Sequence, residues 1–209
     1  MTTGWPDRFI ASCHSWNDFW ERTKRLPSDA EKGAAFERLI QLYLRTTPEY
    51  RTELQHVWLL REVSPDVRTR INLPFRDEGV DLIARTRRGE CWAIQAKFRS
   101  LDLPLNRREL GTFSSLAFNT CNSIALAVVA HTSTKPISKR HLMRNTVEIG
   151  LDRWRSLDNE DQKDWKLILA RLKGRGARQR SEARSRTSAR PLPLQRPILS
   201  VTVPLAVVC

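Results

Sequence analysis

Cysteine is scarce and scattered. Cys13, Cys91, Cys121 and Cys209 form no Cys-x-x-Cys pair and stand in no Cys/His cluster. That spacing argues against a zinc site and reads as buried thiols in a reducing compartment. Glycine is sparse as well, eight in 209 residues. None sits in a Gly-x-x-x-x-Gly-Lys-Ser/Thr loop, and Gly89 and Gly111 build no dinucleotide fingerprint. Nucleotide-driven translocation is therefore outside what these residues do. No Gly-x-Ser-x-Gly elbow offers a serine nucleophile. No apolar run approaches the roughly 20 residues of a membrane span, and Met1 to Asp7 lacks the basic-then-apolar order of a secretory signal. The expectation is a cytoplasmic protein with no membrane partner.

What is present in excess is positive charge, +13 overall. Residues 173–209 hold eight of the 36 basic residues and one of the 23 acidic ones, so the tail carries +7 and the body +6. A body that basic suits phosphate binding, and equally a soluble surface that happens to be basic. From Lys173 onward Arg, Ser, Ala and Pro dominate and no period survives, which reads as a disordered basic tail over 173–209. Its apolar end, Leu199 to Cys209, has no visible partner and suggests a truncated or frame-shifted product.

The most informative stretch runs from Gly79 to Lys97. Val80, Leu82 and Ala84 alternate with Asp81, Ile83 and Arg85; Trp92, Ile94, Ala96 and Phe98 alternate with Ala93, Gln95 and Lys97. Period-2 alternation on both sides of a short polar turn predicts a β-hairpin. A three-residue loop Arg87-Arg88-Gly89 puts glycine where positive φ is required. Thr86 then faces Glu90, and Asp81 faces Gln95. Asp81, Gln95 and Lys97 project from one patch, provided the register holds. An aspartate and a second oxygen ligand suit Mg²⁺, a hard cation, with the Ala96 carbonyl as a further donor. Lys97 can orient or deprotonate an attacking water, or offset charge on a phosphate.

Upstream, Ser28-Asp29-Ala30-Glu31 is a capping box. It starts a helix to about Arg45 whose buried arc holds Phe36, Leu39, Ile40, Tyr43 and Leu44. Glu37 lies at the edge of that arc, able to reach over it or to pair with Arg38 or Gln41 in solvent. Gly33 inside the helix costs about 1 kcal/mol against Ala, for which close approach of the sheet is the expected reason. Trp16, Phe19 and Trp20 form a helical face in an aromatic-rich segment, 1–27, expected to pack on the domain.

The remaining pattern gives a strand over 57–63, a connection over 65–74, and a helix over 106–119. Ser123 to Ala130 reads as a strand buried on both faces and ending at His131 and Thr132. A short basic helix over 138–145, a last strand at 147–149, and a helix capped by Asp158 or Asn159 follow. Asp77 and Glu78 read as turn residues. The order implies an α/β fold with a mixed central sheet flanked by helices.

Asp81 followed by Gln95-Ala96-Lys97 resembles the PD-(D/E)XK nuclease motif in its Mrr-like Gln-x-Lys form. Lys32 to Ile40 is similar to that group's first helix. With His56 to Val63, Asp77 to Asp81 and Trp92 to Lys97, residues 15–172 resemble the N-terminal nuclease domain of Type ISP restriction-modification enzymes and related helicases. The resemblance implies a restriction-endonuclease-like fold over 28–172 and Mg²⁺-dependent endonucleolytic hydrolysis of DNA. Its site would be Asp81, Gln95, Ala96, Lys97 and Glu37. It also implies membership of a restriction/helicase-type defence system whose helicase or translocase module is absent here, and a transient homodimer for cutting two strands. Gln95 departs from the acidic consensus and removes one negative charge from the site. Two other readings stand beside this one: a DNA-binding module without catalysis, and an inert remnant of a larger enzyme.

Overall fold

The computed structural model describes residues 4–74, 79–99, 103–138 and 145–174. Asp77, Glu78, most of the expected basic helix over 138–145, and the tail beyond 174 lie outside those residues. At its centre is one five-stranded sheet: β1 (Leu54–Leu59), β2 (Leu82–Thr86), β3 (Cys91–Lys97), β4 (Ile124–His131) and β5 (Thr146–Ile149), in that spatial order. The first three strands run antiparallel, and β3, β4 and β5 run parallel. This is the mixed α/β architecture the sequence implies.

Helices cover both faces. On one side lie α1 (Trp5–Ala11), α2 (Trp16–Lys24), α3 (Asp29–Thr46), α4 (Pro48–Glu53), α7 (Leu151–Arg155) and α8 (163–174). Their core joins Phe19, Phe36, Leu39, Trp154 and Trp165 to Leu82, Ile94 and Val128 of the sheet. The other face carries α5 (Pro65–Arg70) and α6 (Arg107–Ser115), with Ile71, Phe113 and Leu110 against Ile83, Ala93 and Val129. The alternation of Val128 and Ala130 with Ala127 and Val129 between these cores explains why β4 is apolar from Ile124 to Ala130. The aromatic N-terminal segment is part of the first core: Trp16, Phe19 and Trp20 are buried. Truncating one such ring to alanine costs about 3–5 kcal/mol.

The capping box of α3 forms as read, Ser28 Oγ accepting from Glu31 N–H. A second one, Asn106 with Glu109, starts α6, which continues into a wider helical turn, Leu116–Thr120. Four details differ from expectation. The strand expected over 57–63 ends at Leu59, because Glu62 turns its carboxylate back to accept from the Leu59 N–H at 3.2 Å and closes a tight turn, Leu60–Glu62. The connection over 65–74 contains α5, whose Ser64 cap and Pro65 at the first turn are a helix start signal. Asp158 caps α2, a different helix from the one expected: its carboxylate accepts from Trp16 N–H (2.7 Å) and Asn17 N–H (3.0 Å). Gly33 is not pressed by the sheet, since among the described residues a Cβ there would meet only Glu37 Oε1, at 3.8 Å.

Cys13, Cys91 and Cys121 are buried and outside any disulfide, and burial pushes the Cys13 thiol up to about 11. Among the described residues no helix is long and apolar enough to cross a membrane.

Candidate active site

The hairpin sets the site. β2 and β3 pair Leu82 with Ile94, Ala84 with Trp92 and Arg85 with Cys91. Thr86 N–H bonds to Glu90 O at 2.9 Å, and Gly89 takes φ +91° in the three-residue loop. The same register carried downward puts Asp81 opposite Gln95, as the turn chemistry requires. Asp81 N–H bonds to Ile94 O at 2.9 Å, and its carboxylate Oδ2 accepts from Ala96 N–H at 2.6 Å. Ile94 and Ala96 therefore turn their backbone groups toward the β2 side. The Ala96 carbonyl, in phase with them, faces the side where β2 has already begun to leave the sheet, next to the Asp81 carboxylate.

Here the sheet opens into a cleft of about 640 Å³. Asp81, Ala96, Lys97 and Arg99 line one side, and Glu37 with Lys32 and Lys24 lines the other. Glu37 reaches the cleft because it lies just off the buried arc of α3; its side chain is a quarter exposed, and Arg61 stands 3.9 Å away. Lys97 is half-buried, and its ammonium has no hydrogen bond or ion pair among the described residues. Arg99 is ion-paired with Glu109 of α6. Asp81, Ala96, Lys97 and Glu37 thus meet at one hollow.

Gln95 does not share it. Its side chain is 2% exposed and lies on the α6 side of the sheet, where Nε2 donates to Gly79 O at 3.0 Å. Gly79 is needed for this contact. It sits at φ +106°, and a Cβ would stand 3.2 Å from Nε2. The amide therefore holds the backbone two residues before Asp81. Its Oε1 is buried and has no hydrogen-bond partner among the described residues. An orphaned buried acceptor costs about 1–3 kcal/mol.

No group of three or more His, Cys, Asp and Glu side chains converges among the described residues. The donors lining the cleft are instead the carboxylates of Asp81, Glu37 and Asp29 and the backbone carbonyl of Ala96. All are oxygens, which fits a hard divalent cation that keeps part of its water shell.

A further group fixes the strand that carries Lys97. Thr132, fully buried, accepts from Arg99 N–H at 2.7 Å, donates to Arg99 O at 2.8 Å, and its own N–H bonds to Lys97 O at 3.3 Å. Beside it, buried His131 accepts from Ser133 N–H at Nδ1, which leaves Nε2 to donate to Glu148 at 2.7 Å. Both ring nitrogens are used in holding β4, β5 and the following loop together. Thr132 stands out in the sequence only as the residue after a buried strand. Its partner becomes visible once β3 and β4 are paired Lys97 to His131. Lys24 and Lys32 gave no sequence signal beyond being basic.

A mixed sheet whose hairpin and first long helix enclose an acid-and-lysine cleft defines an α/β nuclease-like domain. The chain belongs to a restriction endonuclease family, of which the Mrr_cat_2 model matches residues 45–173. Restriction endonucleases of this kind generally use divalent metal ions. Among solved structures it is similar to the ATP-dependent Type ISP restriction-modification enzyme LlaBIII bound to DNA, with 23% identity and a TM-score of 0.52 over 72% of this chain and 9% of that one. It is also similar to the DNA modification-dependent restriction endonuclease AspBHI, with 16% identity and a TM-score of 0.46 over 82% of this chain and 40% of that one. The chain therefore spans well under half the length of either. No curated protein matches the sequence.

Proposed function

We propose that the chain is a Mg²⁺-dependent endodeoxyribonuclease that hydrolyses a DNA phosphodiester in the cleft between α3 and the end of β3. The observation that carries this reading is the meeting of Asp81, Glu37, Ala96 and Lys97, whose ammonium has no ion pair among the described residues, at one solvent-open hollow. Asp81 and Glu37, with the Ala96 carbonyl, would hold the cation. Gln95, turned to the other side of the sheet, belongs to the proposal through its grip on Gly79, which holds the backbone leading to Asp81. A bound divalent ion supplies charge stabilisation at the phosphate and lowers the pKa of its water.

The chain's own groups do the rest. Asp81 is pinned by the Ala96 N–H, so its carboxylate is oriented before substrate arrives. Lys97 holds the attacking water or offsets charge on the scissile phosphate, and Thr132 keeps its strand in place. The substrate proposed is DNA, the molecule to which LlaBIII is bound in its structure. In a cell the domain would act as the nuclease part of a restriction/helicase-type defence enzyme in the cytoplasm. A translocating module from elsewhere would drive it, and a second copy would join transiently to cut the other strand.

The test is plasmid cleavage with Mg²⁺ and with EDTA, wild type beside Asp81→Ala and Lys97→Ala. Cutting by wild type with Mg²⁺ alone, lost in both variants, supports the reading. Cutting that survives in either variant removes it.

A further inference from the structure

The cleft has two walls, and the nuclease reading uses little of the second. The family model begins at residue 45. Yet Lys24, Asp29, Ala30, Lys32, Gly33 and Glu37, all upstream of it, line the side facing Asp81 and Lys97. Lys24 is the last residue of α2, and Lys32 lies at the start of α3.

This wall is fixed to the strand that carries the amine. Phe98, next to Lys97, packs against Trp20 of α2 at 4.8 Å between ring centroids and against Phe36 of α3 at 5.9 Å. Trp20 lies one helical turn before Lys24, whose Nζ stands 5.5 Å from the Trp20 ring centroid. The ring thus holds the Lys24 ammonium at the cleft rim. Through Trp20 and Phe36 the positions of Lys24 and Lys32 are set relative to Lys97, which a flexible surface arm would not achieve.

Both lysines are paired, but only locally. Lys24 meets Glu21 at 2.6 Å, three residues away on the same helix, and Lys32 meets Asp29 at 3.1 Å. The Asp29 side chain is 99% exposed. Solvent-facing pairs of this kind hold their ammonium groups weakly. A phosphate can replace either carboxylate, and the released acid stays in water, so no buried charge is stranded.

We propose that Lys24 and Lys32 bind the phosphodiester backbone of the DNA substrate, making the N-terminal helices a working wall of the site. The proposal rests on the nuclease reading and adds where the strand lies: across the mouth between α2/α3 and β3, with the scissile phosphate facing Asp81. Neutralising a phosphate releases counterions, so each contact adds roughly 0.9 to the slope of log K against log salt.

The experiment measures anisotropy of a labelled DNA duplex with the full chain in EDTA, titrated between about 50 and about 200 mM salt. Cleavage with Mg²⁺ is measured beside it. The Lys24→Gln/Lys32→Gln double variant is expected to lose roughly 1.8 from the slope, each single variant about half of that. Lys24→Arg/Lys32→Arg keeps the slope, and Lys166→Gln, on α8 and outside the cleft lining, leaves it unchanged. A double Gln variant with the wild-type slope overturns the proposal while leaving a cleaving wild type as a nuclease. A loss that the Arg pair fails to restore also overturns it, because the lysines would then be serving the fold. Wild type that neither binds nor cuts DNA sinks the nuclease reading and the proposal with it.

Discussion

Glu37 and Arg38 are neighbours on α3 and face two polar clusters built in opposite ways. Arg38 is 4% exposed; its guanidinium is shared between Asp7 of α1, with one contact at 3.0 Å, and Gln41. Gln41, fully buried, passes its Nε2 hydrogens to Val57 O at 3.0 Å and to Glu62 Oε2 at 2.5 Å. Acid, guanidinium and amide answer one another, and the cluster ties α1, α3 and the end of β1 together. Around Glu37 the arrangement is open. Asp81, Lys97 and Glu37 line one open hollow, and Lys97 has no ion pair among the described residues. A polar cluster that satisfies itself serves the fold, whereas one left open to water keeps its groups for a ligand.

The largest expected effect is at the open cluster. Asp81→Ala should lower the rate of DNA cleavage at least about 1000-fold, about 4 kcal/mol of transition-state stabilisation. It should cost only about 1 kcal/mol of stability, from the Ala96 N–H it no longer satisfies. Single-turnover cleavage and urea unfolding read the two quantities. A variant that unfolds readily would put Asp81 in the structural class and break the comparison. Arg38→Met should do the reverse. It strands Asp7 and Gln41, so stability should fall by about 3 kcal/mol, while cleavage by the folded fraction stays within a fewfold of wild type.

Thr132→Val sharpens the contrast from between the two classes. The change keeps the shape and removes both side-chain bonds to Arg99, costing about 2 kcal/mol of local stability. As a positioning residue, Thr132 should affect kcat about tenfold with KM little changed. Thr132→Ser, which keeps the hydroxyl, should recover most of it. An unchanged kcat in the Val variant would make Thr132 part of the fold alone.

The register of the hairpin was legible because two local signals agree: alternation fixes the faces, and Gly89 fixes the loop. Together they place Asp81 across from Gln95. Which way each side chain turns at the strand end was not legible. Gln95 lies on the α6 side, where it donates to the Gly79 carbonyl, and a Cβ at Gly79, which takes positive φ, would crowd that amide. Asp158 looked like the cap of the helix that follows it, but three-dimensional folding brings it to α2, more than 140 residues away. α5 is signalled locally, since Ser64-Pro65-Asp66 carries a cap, a first-turn proline and an acid. Lys24, Lys32 and Thr132 lay beyond sequence reasoning. Their relation to the cleft depends on tertiary contacts between α2 and β3, and between β3 and β4.

The smallest effect tests the edge of the closed cluster. Glu62 is exposed as a residue, but its Oε2 turns inward. Burial alone would raise its pKa; the Gln41 amide, the Leu59 N–H and the nearby Arg45 and Arg38 guanidinium groups outweigh that and hold it below its ordinary 4.5. A carboxylate depressed by folding contributes stability that is fully present above its unfolded pKa and is lost as pH falls through the folded one. Because solvent screens an exposed side chain, the contribution should stay below about 1 kcal/mol. Urea midpoints of wild type and Glu62→Gln should therefore differ at pH 7 and converge as the carboxylate protonates at acid pH, with cleavage rates at pH 7 nearly equal. If the gap widened on acidification, the carboxylate would be destabilised by its neighbours, and the closed cluster would not be self-satisfying at its rim.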